Sequence, residues 1–201
     1  IQPLLVGHTI TRLETTPPSY FFVTPPTKLV NAIQGRTVTG LVRKGKYIVA
    51  QLDDDSQLLL HLGMTGQLFG SGVSSLRLLT STARSSLDPN EQPVFKPDKH
   101  THLVFHLSSN KQLFFRDVRK FGKVEHIPKG AQCARINKLG PDALVVSSSH
   151  LWPLLKSRRI AIKSALLDQS LLAGVGNIYA DEALFYAGVR PTRLAKRVKK
   201  R

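Results

Sequence analysis

Cysteine is nearly absent from this sequence, since Cys133 is the only one among 201 residues. One thiol can form neither a disulfide framework nor a cysteine-based zinc site within the chain, and its rarity suits a reducing compartment. No apolar stretch reaches the length of about 18 residues that crosses a membrane. Residues 1–7 also lack the pattern of a signal peptide. These absences predict a protein that neither spans a membrane nor depends on disulfides.

Acidic residues are the second scarcity. The chain has 13 Asp and Glu against 29 Lys and Arg, a net charge of +16, and the excess is divided between residues 1–130 (+7) and 131–201 (+9). Because both halves are basic, a charged tail alone does not explain the balance, and a polyanion is the first partner to consider. Nucleic acid is the commonest polyanion, although a merely basic protein, such as a ribosomal one, fits the charge as well.

Strand-forming residues dominate the first part of the chain, and residues 1–69 are predicted to be strands. Two antiparallel hairpins are expected, followed by one further strand. The segments are Leu41–Leu52 with a bend at Lys44-Gly45, Gln57–Leu62, His102–Leu107, Gln112–Arg116 and Val124–Ile127. The stretch from about 70 to 97 is rich in Gly, Ser, Thr, Pro and Asp, which predicts a long loop or insertion.

The pattern changes to helix after a connector near residues 128–142. Apolar spacing predicts one helix over Trp152–Leu172 and a shorter one over Ile178–Ala187. Asn177 is expected to be the N-cap of the shorter helix, and Gly188 its C′ residue.

Three short segments carry groups suited to binding nucleic acid. In Ala173–Tyr179, two glycines permit a tight turn before a helix whose N-terminal amides attract an anion; an ordinary helix-turn-helix is the alternative. In Asp117–Gly122, an Arg, a Lys and a Phe share one loop tip and suit contact with bases and phosphates; a solvated turn with the ring in the core is the alternative. In His61–Gly66, Met64 is either an apolar wedge or core filler, and His61 either a phosphate donor or a core hydrogen-bonding group.

Lys46 and Lys163 both lie within apolar segments, Lys46 directly before Tyr47-Ile-Val and Lys163 after Ile-Ala-Ile. A lysine held near a partly dry site has a lowered pKa and can transfer protons. Most such lysines point to solvent, so the residues alone leave both interpretations open.

Taken in order, these segments resemble the formamidopyrimidine-DNA glycosylase family, which includes the enzymes that remove 8-oxoguanine. The matching stretches are Arg43–Tyr47, His61–Gly66, Lys99–His102, Asp117–Gly122, Leu139–Leu144, Ile160–Lys163, Leu166–Gln169 and Gly174–Phe185. The resemblance implies an α+β fold. An N-terminal antiparallel β-sandwich over residues 1–130, with an insertion at about 70–97, would be followed by a mainly helical helix–two-turn–helix domain over 131–201.

The resemblance also implies a function and a location. The parent protein would be a base-excision-repair DNA glycosylase with AP lyase (β-elimination) activity, acting as a monomer on damaged double-stranded DNA. It would remove oxidised purines such as 8-oxoguanine and formamidopyrimidines, with the lesion nucleotide flipped out of the duplex. It would work in the cytoplasm or nucleoid of a bacterium, or in the nucleus or an organelle of a eukaryote.

Site residues follow from the same matches. Met64, Arg119 and Phe121 match the residues that fill the space the lesion leaves, and Lys46 matches the proton donor in β-elimination. Positions that hold DNA are matched by Lys46, His61, His100, Arg119, Lys120, Arg158, Lys163, Asn177 and Tyr179.

The chain departs from the family pattern at both ends. The family begins with a free proline, whose amine attacks the sugar, and a glutamate that assists proton transfer. This chain opens at Ile1, and the nitrogen of Pro3 is acylated. The family's zinc finger would begin after Arg201, so zinc is expected in the full-length protein but no cofactor or metal in this chain. Milder departures are Val118 where proline is usual and Lys120 where arginine is common.

Two interpretations of these departures remain. The chain is either a fragment of a working enzyme, inactive by itself, or a short paralogue that binds damaged DNA without cutting it. Retention of Lys46, Met64 and Asn177 favours the fragment.

Overall fold

The computed structural model describes residues 1–71, 90–91 and 94–199. The chain divides into two compact units, Ile1–Arg43 with Tyr47–Ala131, and Lys44–Lys46 with Gln132–Arg201. The loop predicted at about 70–97 falls mostly on residues 72–89 and 92–93, which lie outside the described residues. Within the described part of the chain, no helix is long and apolar enough to cross a membrane.

The first unit is built on strands. Its described residues contain eight strands in two four-stranded sheets. The strands are β1 (Ile10–Thr15), β2 (Val38–Lys44), β3 (Tyr47–Leu52), β4 (Gln57–His61), β5 (Gly66–Gly70), β6 (Thr101–Leu107), β7 (Gln112–Asp117) and β8 (Lys123–Ile127). One sheet has the order β1-β6-β7-β5, and the other has the order β2-β3-β4-β8.

Strand pairing confirms both predicted hairpins and the strand that follows them. β3 runs antiparallel to β4, β6 to β7, and β8 to β4. The single bent strand expected over residues 41–52 is wrong, because the chain reverses at the predicted bend. Gly45 has a φ of 56°, which favours glycine, and the turn makes β2 and β3 neighbours in one sheet.

The prediction that residues 1–69 hold only strands is also wrong. Two helices lie there, α1 (Gln2–Leu5) and α2 (Pro26–Ile33). Proline suits the first helical position because its fixed φ matches the helix and its missing N–H is not needed there. Leu29 and Ile33 are four residues apart, share one face of α2 and are fully buried.

One apolar core joins the two sheets into a β-sandwich, as predicted. Phe105 and Phe115 of one sheet and Leu60 of the other belong to the same buried cluster, together with the buried face of α2. Side chains alternate along each strand, so Phe114 points to the opposite face of its sheet. There it joins Phe69 in a separate small cluster.

The second unit is mainly helical, as predicted. Its helices are α3 (Ala134–Asn137), α4 (Ser148–Lys156), α5 (Ile162–Leu167), α6 (Asn177–Tyr186) and a 3-10 helix (Ala195–Arg197). The buried residues of its core are Leu155, Ile162, Ala165, Leu171, Leu172, Leu184 and Ala195.

The single helix predicted over Trp152–Leu172 is wrong, because a long-range backbone pairing interrupts it. The N–H of Ile162 donates to the carbonyl of Arg193 at 2.7 Å, and Ala161 and Leu194 form an antiparallel bridge. Apolar periodicity reports local spacing only, so it cannot reveal a pairing across some thirty residues of chain.

The shorter helix predicted over Ile178–Ala187 is confirmed with both ends displaced by one residue, since α6 spans Asn177–Tyr186. α6 begins at Asn177 with Gly176 as N-cap, and no side chain caps it, so the assignment of Asn177 as N-cap is wrong. Gly188 follows the C-cap residue with a φ of 61°, which confirms the predicted C′ glycine.

Candidate nucleic-acid interface

The tip between β7 and β8 is organised by one buried carboxylate. Asp117 Oδ1 accepts from the hydroxyl of Thr65 and, at 3.3 Å, from the N–H of Arg119. Its Oδ2 accepts from the N–H of Gly122 at 2.7 Å. Asp117 is completely buried, so these donors replace the water that its charge would otherwise require. The backbone on both sides of the tip is therefore held by a single side chain.

The loop between β4 and β5 packs directly on this tip. Thr65 contributes its hydroxyl to Asp117 and accepts from the N–H of Arg119 at 3.2 Å. A Cβ on Gly63, whose φ is 62°, would lie 2.6 Å from the backbone nitrogen of Gly122. Only glycine permits this approach, so the loop that carries Met64 and the tip meet backbone to backbone.

Met64, Arg119 and Phe121 are therefore brought together and exposed at one end of the first unit. Met64 is 51% and Phe121 43% exposed, so neither is a core residue. The guanidinium of Arg119 lies 4.6 Å from the centre of the Phe121 ring. Lys120 next to it is exposed and has a φ of 57°, which turns the chain at the tip.

Histidines flank this end of the sandwich. Half-buried His61 accepts from the N–H of Gly63 through Nδ1 at 3.1 Å, so its neutral ring carries the proton on Nε2. Half-buried His100 accepts the N–H of Asp117 with its carbonyl at 2.9 Å. Buried His102 lies 2.9 Å from the Asp117 carbonyl through Nε2, and desolvation lowers the pKa of its ring although that hydrogen bond opposes the shift.

Lys46 lies at the N-terminus of α6 in the second unit. A Cβ placed on Gly176 would be 3.9 Å from Lys46 Nζ. The side chain keeps contact with solvent, but partial desolvation lowers the pKa of its ammonium group. Asn177 and Tyr179 are exposed in the first turn of the same helix, Tyr179 by 75%. The structure thus groups three of the predicted site residues.

Gln169 fixes the loop that leads into α6. Its Nε2 donates to the carbonyls of Leu167 and Val175 at 2.9 Å each, and its Oε1 accepts the N–H of Gly174 at 3.0 Å. Gly174 has a φ of 102°, and the amide of Gln169 satisfies the backbone that this turn exposes. The N-terminus of α6 is therefore presented by a rigid loop.

The two other predicted cations of this unit are engaged with carboxylates. Lys163 Nζ lies 2.8 Å from Asp181 Oδ1, and a nitrogen of the Arg158 guanidinium lies 3.6 Å from Asp168 Oδ2. Asp168 also accepts from the N–H and the hydroxyl of Ser170, and the Ser170 hydroxyl is the main cause of its lowered pKa. Both cations are partly exposed.

The described residues do not fit a zinc site. Cys133 is the only cysteine of the chain and is buried. Across residues 1–71, 90–91 and 94–199, no group of three or more His, Cys, Asp or Glu side chains could hold a metal ion.

The residues that position the site were not predicted from the sequence. No individual role was predicted for three of them, which lie within the matching stretches: Asp117, Thr65 and Gln169. Asp117 could have been predicted, because it is an acidic residue directly before a basic loop tip and its carboxylate can accept N–H groups of that loop. Thr65 is 52 residues away from Asp117 in sequence, and no pattern near either residue predicts their hydrogen bond.

A sandwich and a helical unit, each presenting cationic and aromatic groups on rigid turns, are typical of a protein that binds nucleic acid. Comparison with known families is more specific. A family model described as the formamidopyrimidine-DNA glycosylase N-terminal domain matches residues 1–124, and one described as the formamidopyrimidine-DNA glycosylase H2TH domain matches residues 139–201. The chain therefore belongs to the formamidopyrimidine-DNA glycosylase family.

Individual relatives agree with this assignment. The chain is 38% identical over 197 residues to a formamidopyrimidine-DNA glycosylase of Paracoccus denitrificans, covering 97% of this chain and 66% of the relative. It is 37% identical over 199 residues to one of Listeria monocytogenes, covering 97% and 65%. The chain thus spans about two thirds of the length of the curated relatives it matches.

Solved structures of the Lactococcus lactis formamidopyrimidine-DNA glycosylase share the fold. One, bound non-covalently to DNA that contains an AP site, has a TM-score of 0.79 and 29% identity over 98% of this chain and 68% of that one. Another, with DNA that contains FAPY-dG, has a TM-score of 0.77 and 28% identity over 99% and 68%.

We expect Asp117→Ala to lower the free energy of unfolding by about 3 kcal/mol, because a buried donor left without its acceptor costs roughly 1–3 kcal/mol. Denaturant unfolding measures the change, and faster hydrogen exchange at Arg119 and Gly122 locates it. Exposed Asp53 accepts one N–H, from Thr37 at 3.0 Å, and serves as the control. Equal losses for Asp117→Ala and Asp53→Ala would contradict the role of Asp117.

Proposed function

We propose that the protein acts as a monomer in DNA base-excision repair, as a glycosylase with AP lyase activity on oxidised purines such as 8-oxoguanine and formamidopyrimidines. The observation that carries the proposal is the joint exposure of Met64, Arg119 and Phe121 at one end of the sandwich. An enzyme that flips a nucleotide leaves a gap in the stack, and apolar wedges fill such gaps. Family membership and the DNA lesions bound by the Lactococcus lactis structures support the substrate class.

Each of the three side chains suits a part of this task. The thioether of Met64 and the ring of Phe121 are apolar and replace the lost base stacking. The guanidinium of Arg119 donates hydrogen bonds to the edge of the base that has lost its partner. The Asp117 carboxylate restricts the backbone of the tip, so less conformational entropy is lost on binding.

Phosphates are held, in this proposal, by groups of both units that donate hydrogen bonds or carry positive charge. Phosphate contacts position the duplex without reading its sequence. The N-terminus of α6 adds backbone N–H groups and the positive end of the helix dipole. The contributing side chains are Lys46, His61, His100, Lys120, Arg158, Lys163, Asn177 and Tyr179.

Lys46 has a second role in the proposal, as proton donor during β-elimination. Its ammonium group has a pKa lowered by partial desolvation, which makes proton transfer easier than from an ordinary lysine. The Schiff base that precedes elimination needs an amine, and the nitrogen of Pro3 is part of a peptide bond. The family resemblance assigns the attacking amine to an N-terminal proline.

The decisive experiment compares a duplex containing an abasic site or 8-oxoguanine with the same duplex intact. We expect clearly tighter binding to the lesion, because the exposed wedge finds a gap only there. Equal affinity would contradict the proposal and indicate a general nucleic-acid binder.

Borohydride added during incubation then tests whether a Schiff base forms between the protein and the abasic sugar. A covalent adduct would show that an amine of residues 1–201 forms the Schiff base, and lesion preference without an adduct would assign this chain to recognition.

We expect Arg119→Ala to weaken binding to the abasic duplex by about 1–3 kcal/mol, because the orphaned base loses its hydrogen bonds. Binding to intact duplex should change much less. Fluorescence titration of both duplexes measures the difference. Arg12→Ala is the matched control, since Arg12 is an exposed arginine of β1 paired with Glu14 at 3.1 Å. Unchanged lesion binding by Arg119→Ala would remove the gap-filling role.

In the parent protein, whose N-terminal proline supplies the attacking amine, we expect Lys46→Ala to slow nicking of an abasic strand by about 10²–10⁴-fold, the usual contribution of a general acid. Single-turnover nicking and DNA binding are measured side by side. Lys44→Ala is the control, because it removes a positive charge beside the same turn. In the unsubstituted protein, nicking should fall as pH rises through the lowered Lys46 pKa, because the ammonium form donates the proton. Equal losses of binding and nicking in Lys46→Ala would refute the proton-donor role.

A further inference from the structure

An arginine-lined groove follows α6 in the second unit. It encloses about 500 Å³ and is lined by Arg190, Thr192, Arg193, Leu194, Arg197 and Lys199. Its charged side chains are all cationic and all exposed. Four positive groups therefore converge on one open surface, and none of them is among the predicted site residues.

Three arginines of this groove have no carboxylate partner in the part of the chain that the structure describes. Among the residues that the structure describes, Arg190, Arg193 and Arg197 form no ion pair. Elsewhere the same kind of side chain is paired, as Arg116 is with Asp98 at 2.9 Å. Like charges gathered without a counter-charge repel one another, and an external anion relieves that repulsion.

The backbone under the groove is fixed. The N–H of Ala195 donates to the carbonyl of Ile160 at 2.9 Å, and Ala195 itself is buried in the core of the unit. Arg193 accepts the N–H of Ile162 through its carbonyl at 2.7 Å. A disordered basic tail must be ordered when it binds, whereas these arginines already stand on an ordered segment.

The segment that forms the groove is hydrogen-bonded through its backbone to the segments that carry Arg158 and Lys163, two of the proposed phosphate contacts. The N–H of Lys196 donates to the carbonyl of Arg158 at 3.2 Å, and the N–H of Lys163 donates to the carbonyl of Pro191 at 3.2 Å. Backbone pairing thus sets the groove beside Arg158 and Lys163. A phosphodiester chain held by those two residues would lie close to the cations of the groove.

We propose that the groove formed by Arg190, Arg193, Arg197 and Lys199 is a further phosphate-binding site, which grips the backbone of the duplex that flanks the lesion. The inference rests on the proposed function, since it extends the same DNA interface. Arginine suits the task because its planar guanidinium donates two parallel hydrogen bonds to a phosphate. Such contacts carry no base or lesion information, so the groove contributes affinity equally for damaged and intact DNA.

Salt dependence provides the test. Each phosphate neutralised by a side chain contributes about 0.9 to the slope of log K against log salt concentration for B-DNA. The variant Arg190→Ala/Arg193→Ala/Arg197→Ala should therefore lower the magnitude of that slope by about 2–3 between roughly 50 and 200 mM salt. The reduction should be the same for an abasic duplex and for its intact counterpart.

Two matched variants separate local contact from net charge. Lys28→Ala/Lys111→Ala/Lys129→Ala removes three exposed cations from the first unit and should leave the slope close to that of the unsubstituted protein. Arg190→Lys/Arg193→Lys/Arg197→Lys keeps the charge and should retain most of the slope. Thermal unfolding checks that all variants fold, which is expected because the exchanged side chains are exposed.

The outcomes distinguish this inference from the proposed function. A groove variant with an unchanged slope, or one changed no more than the Lys28/Lys111/Lys129 variant, overturns the inference even where the protein prefers lesions. A reduced slope in a protein without lesion preference supports the groove as a DNA contact and contradicts the proposed function.

Discussion

The Asp117 carboxylate is the interaction on which the exposed end of the sandwich depends. A buried charge is expensive unless donors surround it, and here the donors are the loops that carry the candidate recognition residues. Thr65 ties in the segment that bears Met64, and the N–H groups of Arg119 and Gly122 close the tip. The same bonds that offset the cost of burying the charge hold apolar side chains out in water, where the hydrophobic effect alone would not keep them.

In the second unit, neutral groups fix the backbone beside the exposed site residues. Gln169 satisfies the turn before α6 through its amide, and backbone pairing between the segments around Ile162 and Arg193 stiffens the chain after it. In both units a hydrogen-bonded backbone holds the exposed side chains in place in the free protein, before any ligand binds. Preorganisation of this kind reduces the entropy lost on association.

Local patterns in the sequence predicted much of the fold, and a long-range pairing accounts for the error in the second unit's first predicted helix. The hairpins and α6 follow from alternation, turn residues and apolar spacing, which are properties of neighbouring residues. The division of Trp152–Leu172 into two helices depends on hydrogen bonds to residues near Arg193. α2 is different, because Pro26 and the spacing of Leu29 and Ile33 were visible signals that the strand interpretation overrode. The motifs located the candidate site residues, but the partners that hold them came only from the structure.

The carboxylates beside Lys163 and Arg158 have a consequence for the ionic character of binding. Asp181 and Asp168 neutralise these cations in the free protein and so act as built-in counterions. When a phosphate takes such a cation, it displaces a tethered carboxylate instead of a dissolved ion. The displaced carboxylate would stay nearby and repel the phosphate, so in the proposed interface these two contacts would add less to affinity than their charges suggest. A tethered carboxylate would also return to its cation without diffusing from solution, which would ease the release of DNA.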